Sequence, residues 1–362
     1  MFPGVYNIIS CLILFFCFFF QACPGQTDES GLKENKDSRK ESICIFDSDE
    51  ILDISIQFDL TRFLRKADKE ESFDGVMVIH PGEKDSVDKK IKITYRGEFR
   101  FENCSFPPMK INFKKPVYAY SDSGKIKKLK LVTRCKSGNI YDDYALREYL
   151  VYKLYNVLTD TSYRVRLVKI SFIDTRKNRK PVTQYGFFIE PLDILAGRIN
   201  AAVVSSTNLN QSHIVPEVID RVAIFNYMIA NWDWSVPGQH NIDILKTMKY
   251  EGSNLGLAVP FDFDLCGVVN ADYSIPSEAI GLKNARDRKY CGICRDREVL
   301  KNDLLSLLNK KEKLYAVVDE FQYLSQKSKE DITSFLDQFF NQLEVQKKID
   351  NMIDDLLTTA NK

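Results

Sequence analysis

Two acidic clusters with apolar flanks, NWDWSVPGQHN at 231–241 and VPFDFDLCG at 259–267, hold the residues best suited to chemistry. Asp233, Asp262 and Asp264 supply carboxylates, and Asn241 supplies an amide. That set suits phosphoryl transfer. One carboxylate orients or deprotonates an incoming hydroxyl, while the amide and a second carboxylate hold magnesium against nucleotide phosphates. The same residues also suit a plainer role, in which Asp233 and Asn241 cap or turn the chain and Asp262 and Asp264 lie on an exposed strand end.

The elements that must position them follow from periodicity. PEVIDRVAIFNYMIAN places Val218, Val222, Phe225 and Ile229 at three- and four-residue steps, which predicts a helix with Asp233 at its exit. After Asn241, Ile242, Ile244 and Leu245 form a short strand pattern, and GLAVPF predicts a second strand ending at Asp262. A hairpin with acids at its two ends results.

The chain has 362 residues, 44% of them hydrophobic and 12% aromatic, enough for a sizeable core or two lobes. Fifty-one Lys plus Arg against 50 Asp plus Glu give a net charge of +1, so no global field draws the protein to nucleic acid or to an anionic membrane.

Residues 1–22 lack Lys and Arg and are nearly all apolar, which reads as a signal peptide. Phe20, Gln21, Ala22 and Cys23 resemble a bacterial lipoprotein cleavage box, with Cys23 as the lipidated residue. A cleaved secreted form and an uncleaved anchor stay open beside it. Residues 23–43 are polar and charged, a flexible tether with a reach of roughly 25 Å. Beyond Cys23 stand six cysteines, Cys44, Cys104, Cys135, Cys266, Cys291 and Cys294, which allow up to three disulfides in an exported protein. CGIC at 291–294 has no second pair for a zinc site, so a local disulfide or two buried thiols is expected there.

From Ile51 to Phe58, then at 73–80, 89–101, 106–115, 128–135, 163–174 and 181–190, alternating residues predict a strand-rich region. A helix over 141–158 interrupts it, with Leu146, Leu150, Leu154 and Leu158 along one face. Residues 191–213 read as irregular. From Arg295 the chain reads as helical, with Ser328 and Asp331 as a capping box. This order predicts an α+β, bilobal architecture, with a strand-rich N-lobe over 44–190 carrying one helix and a mainly helical C-lobe over 191–362.

Six segments taken in order resemble the spore-coat CotH kinase family and, more distantly, HipA-like kinases. They are RGEFR at 96–100 with FPPMKINF after it, KLKL at 128–131, LREYLVYKLYN at 146–156, YGFFIEPLD at 185–193, NWDW at 231–234 and PFDFDLCG at 260–267. The chain looks closest to an uncharacterised branch of exported bacterial proteins. The resemblance implies an atypical protein-kinase-like fold and a site using ATP and magnesium. Lys130 would contact the nucleotide phosphates, with Lys128 as the alternative register, and Glu148 would pair with that lysine. Glu190 would lie near the nucleotide-binding linker, and Asp233 would be the catalytic aspartate. Asn241, Asp262 and Asp264 would face the metal. Two departures stand out: Asn241 follows Asp233 by eight residues where about five is usual, and no glycine-rich phosphate loop precedes Lys130, only SDSG at 121–124.

Two functions fit these residues. One is an ATP- and magnesium-dependent phosphotransferase acting on a protein or small-molecule hydroxyl. The other is an exported, membrane-anchored module that has lost catalysis and serves binding. Metal-dependent hydrolysis ranks below both, because the histidines show no ligand spacing.

Overall fold

A computed structural model describes residues 44–360 except 81, 83–85, 122–123, 206–207 and 248–254. The signal peptide, Cys23 and the tether expected from the sequence lie outside the described residues. Among the described residues, no helix is long and apolar enough to cross a membrane.

Seven strands close a barrel among these residues: β1 Leu52–Phe58, β2 Ser72–Ile79, β3 Val87–Tyr95, β4 Met109–Tyr118, β5 Lys125–Thr133, β6 Val165–Asp174 and β7 Val182–Ile189. Their order is β1-β2-β3-β4-β5-β7-β6. Neighbours run antiparallel except at the seam, where β1 and β6 pair in parallel, Leu52 with Val168 and Phe58 with Asp174. The alternation seen in the sequence decides which side chains fill the barrel: along β3, Ile91, Ile93 and Tyr95 are buried while Lys92 is exposed. Phe58, Phe63, Phe73 and Phe172 meet edge to face inside it, with Phe58 and Phe63 centroids 5.4 Å apart.

Short helices decorate this half, α1 at Leu60–Phe63 and α2 at Glu98–Asn103. The strand expected over 89–101 therefore stops at Tyr95. Gly97, at φ 69°, turns the chain in a conformation that costs glycine little, and EFRFEN then winds into α2. A disulfide joins Cys104, at the end of α2, to Cys135, just past β5.

Helix α3, Asn139–Leu158, lies against the outside of the barrel. Leu146, Leu150 and Leu154 are buried, as their spacing predicts. The cluster they join runs on through the second half of the chain and is separate from the one inside the barrel. The second half contains α4 Leu192–Arg198, β8 Ala201–Val203, α5 Pro216–Met228, β9 Ile242–Thr247 and β10 Leu257–Pro260. The helices α6 Arg297–Leu308, α7 Lys311–Asp319, α8 Gln326–Leu343 and α9 Gln346–Ala360 follow. Strands β8, β9 and β10 form a separate sheet in the order β10-β9-β8.

The architecture corrects the bilobal kinase-like fold with a mainly helical C-lobe expected from the sequence. The strand-rich half is a closed mixed barrel with a few helices, the second half carries its own sheet, and Ile43–Lys362 is one compact unit. The cause is pairing rather than strand content. β7 inserts between β5 and β6, and β1 then finds β6, a choice that alternation within each strand does not encode. Three local expectations also change. The irregular stretch 191–213 contains α4, β8 and a 3-10 turn. Ser325, not Ser328, caps α8 by accepting from the Ser328 amide, while the Ser328 hydroxyl donates to Asp143 at 2.6 Å. Cys291 is half-buried and Cys294 exposed, and the two are not bonded to each other.

Candidate functional site

The hairpin of β9 and β10 brings the two acidic segments together. Ile242 pairs with Pro260, so Asn241 and Phe261 fall side by side, and the Phe261 amide donates to the Asn241 carbonyl at 3.0 Å. Asp233 is carried in from the end of α5 by a chain of amides. The buried Asn226 side chain donates to the Val222 carbonyl, Asn231 donates to the Asn226 side chain at 2.8 Å, and the Asp233 amide donates to the Asn231 side chain at 3.2 Å. Neither Asn226 nor Asn231 stood out in the sequence as a positioning residue.

The eight-residue step from Asp233 to Asn241 is a tight hairpin. Ser235 and His240 exchange backbone hydrogen bonds of 2.9 Å, and Gln239 and Asn241 take positive φ to close the loop. Asn241 then donates its amide to the Asp233 carboxylate at 2.9 Å and carbonyl at 2.8 Å. The other carboxylate oxygen accepts from His240 Nε2 at 2.8 Å. A carboxylate only accepts, so this contact fixes the proton on Nε2. Of the two flanking tryptophans, Trp234 is buried in the core and Trp232 is half-buried.

On the barrel side, Leu129 and Leu131 point inward, so Lys130 points out. Its ammonium lies over the Phe261 ring, 4.8 Å from the centroid, whereas Lys128 is exposed, so Lys130 is the register that reaches the site. Burial pushes the Lys130 amine down, helped by Arg96, against the pull of Asp243 and Asp262. Arg96 stands 4.0 Å from the Asp262 carboxylate. Asp262 itself sits at φ 61°, with its amide donating to the Tyr152 hydroxyl at 2.8 Å.

Glu148 does not pair with Lys130 as expected. Its partner is Arg100 of α2, at 3.7 Å, and the two side chains are 2% and 9% exposed. Arg100 also donates to the Thr133 carbonyl. It stays cationic, held so by Tyr273, Asp264 and Glu148 against the cost of burial. Glu148 is nevertheless pushed well up, because burial and the neighbouring Asp264 outweigh one guanidinium. Asp264 is pushed up to about 7 by burial and then by Asp262, with Arg100 opposing. Arg96 and Arg100, both within the RGEFR segment, are thus site residues to which the sequence reading gave no role; their four-residue spacing was the available signal.

Glu190 lies at the end of β7, fully buried. Its two oxygens accept from Tyr120, from Arg198 twice, through Nε and Nη2, and from the Arg164 amide, at 2.6 to 3.1 Å. That carboxylate is spent on structure. The adjoining cavity of about 300 Å3, lined by Lys153, Arg164 and Arg198 among others, includes neither Asp233 nor Asp262 in its wall.

Lys130, Arg96, Arg100, Glu148, Asp233, Asn241, Asp262 and Asp264 therefore form one neighbourhood, and Glu190 stands apart from it. Among the described residues, no three His, Cys, Asp or Glu are grouped to hold a metal by themselves. Asp262 and Asp264 nonetheless supply hard oxygens of the kind magnesium takes one or two at a time, completing its shell with water and phosphate. Glu148 Oε1, buried and without a hydrogen-bond partner, is a further oxygen that a cation could engage. The donor chemistry fits magnesium, and Lys130 with Arg96 fits the phosphates beside it. Set against known proteins, the chain matches no family model, and no curated protein matches it.

Proposed function

We propose that the protein is an exported, lipid-anchored phosphotransferase that uses ATP and magnesium to phosphorylate a hydroxyl on a protein or small molecule. The observation that carries this reading is the convergence of Lys130 and Arg96 on the carboxylate of Asp262, with Asp264 and a fixed Asp233 beside it. In this reading Lys130 and Arg96 bind the phosphates and Asp262 with Asp264 hold the ion. Asp233 positions the accepting hydroxyl. The ordered segments that resemble those of CotH kinases are taken to support the chemistry, and the Cys104–Cys135 disulfide supports an oxidising compartment reached through the signal peptide and Cys23. Nucleic acid is not a partner in this reading, since the balanced charge offers no polyanion-binding field.

The second reading is a binding module without catalysis. One observation favours it: both Asp233 carboxylate oxygens are already engaged, by His240 and Asn241.

Thermal unfolding of Cys44 onward, with and without ATP and magnesium, separates the two. Ligand that binds only the folded state raises the melting temperature by mass action. A rise that Asp262→Ala and Lys130→Ala both abolish is the expected result. Well-folded protein with no rise at millimolar ATP, in magnesium or manganese, sinks the phosphotransferase and leaves the binding module.

A further inference from the structure

One cation of the site, Arg100, is carried on a small and poorly supported element. Helix α2 is six residues long and has no side-chain cap at its N-terminus, and a helix of that length does not persist by itself. Its carbonyl end is gripped by Lys66, whose ammonium accepts the role of donor to Phe101, Glu102 and Cys104. That grip ties α2 to the chain after α1. Four links tie it toward β5 and α3: the Cys104–Cys135 disulfide, the Arg100 bond to the Thr133 carbonyl, the Arg100–Glu148 pair, and the Phe106 amide to the Cys135 carbonyl at 2.9 Å. The first is covalent and sits at both hinges. Cys104 is the residue that ends α2, and Cys135 lies between the strand bearing Lys130 and the helix bearing Glu148.

We propose that the Cys104–Cys135 disulfide is an oxidation-dependent latch on the candidate site. Arg100 takes its place against Glu148 only after that bond has formed. The site is thus left incomplete in a reducing cytoplasm and is completed after export. The inference rests on the reading above that the chain is exported and that this cluster handles nucleotide phosphates. The chemistry balances as thiol–disulfide exchange: the two thiols give up two protons and two electrons, the Sγ–Sγ bond forms, and the disulfide of an exported thiol oxidant is reduced to its dithiol. Both cysteines are buried in the finished protein, so the bond, once made, is shielded from small reductants.

The experiment compares full-length protein refolded under oxidising conditions, the same protein refolded in dithiothreitol, and the variant Cys104→Ser/Cys135→Ser. Hydrogen exchange reads the latch without any nucleotide. The expected result is exchange faster by about tenfold or more confined to residues 96–104 and 133–136, with β1, β2, α8 and α9 unchanged. Titration with ATP and magnesium should show affinity weaker by about tenfold in the two unlatched forms. Unchanged exchange at 96–104 overturns the latch. Loosening of the whole molecule also overturns it, because the bond is then a general staple. Local loosening together with oxidised protein that binds no ATP upholds the latch on Arg100 and overturns the nucleotide reading instead.

Discussion

Asn241, eight residues beyond Asp233, donates its side-chain amide to the Asp233 carboxylate at 2.9 Å and to the Asp233 carbonyl at 2.8 Å. The hairpin between them, closed at Ser235 and His240, is what makes so long a step compatible with direct contact. Asn241 is therefore a brace for Asp233 whatever else its carbonyl oxygen does.

Removing the brace has a measurable cost. Asn241→Ala should lower unfolding stability by about 1–3 kcal/mol, the range for a hydrogen bond to a charged group in a partly buried setting. Urea denaturation reads it, and a change below a few tenths of a kcal/mol would show that His240 alone holds Asp233.

The Arg100–Glu148 pair makes a steeper prediction. Arg100→Met leaves the Glu148 carboxyl, 2% exposed, without its partner; at a pH high enough to ionise that carboxyl, breaking a buried pair from one side costs about 3–5 kcal/mol. Glu148→Gln in the same background should recover part of that loss by removing the charge. Equal stability of the single and double variants, measured by denaturant titration, would rule against the pairing.

Stability should also depend on pH through Asp264. Its folded value, about 7, lies above its ordinary value of 3.8, so the folded state keeps a proton that the unfolded chain has released between these limits. Folding takes up protons in that window. Stability should fall as pH rises from about 4 to about 7 and then level off, with Glu148, raised in the same direction, adding to the slope. Asp264→Asn should flatten the profile. A slope of the opposite sign for this difference between wild type and variant would mean that Arg100 governs the carboxylate instead.

Glycines 186 and 197 should respond in opposite ways to alanine. A Cβ at Gly186, in β7, would meet the Val132 carbonyl of β5 at 2.5 Å, so Gly186→Ala forces the barrel apart at that pair and should cost about 1–3 kcal/mol. A Cβ at Gly197, in α4, meets nothing within 4 Å, and Gly197→Ala should be neutral or stabilise by up to about 1 kcal/mol. Thermal melts of the two variants side by side test the assignment of both elements.

Much of this molecule was legible along the chain and little of it across the chain. The leucines of α3, the alternation of β3, and the helix-then-hairpin around Asp233 and Asp262 are local patterns, and each lies where its period puts it. Convergence of Asp233, Asn241 and Asp262 was readable for the same reason, since one hairpin supplies it. What escaped were choices between distant partners. Lys130 and Arg100 are both basic residues near β5, and only packing decides that Glu148 meets the arginine. Glu190 directly follows Ile189, the strand partner of Lys130, yet Arg198 and Tyr120 take up its carboxylate and keep it out of the site. Barrel closure escaped for the same reason: alternation fixes which face of β6 is buried but says nothing of β1 lying beside it.

That seam sets the order in which the molecule can be made. β1 is the first barrel strand to be synthesised, while its parallel partner β6 and the inserted β7 come last, so β1 lacks its second neighbour until β6 arrives and β5 lacks its own until β7 does. Contacts between such distant segments form slowly, and an unpaired strand edge waiting for its neighbour invites association with other chains. The half-made barrel is thus the most exposed stage in the life of this protein, and a cell that makes it gains by keeping residues 52–133 from folding alone until 165–189 have arrived.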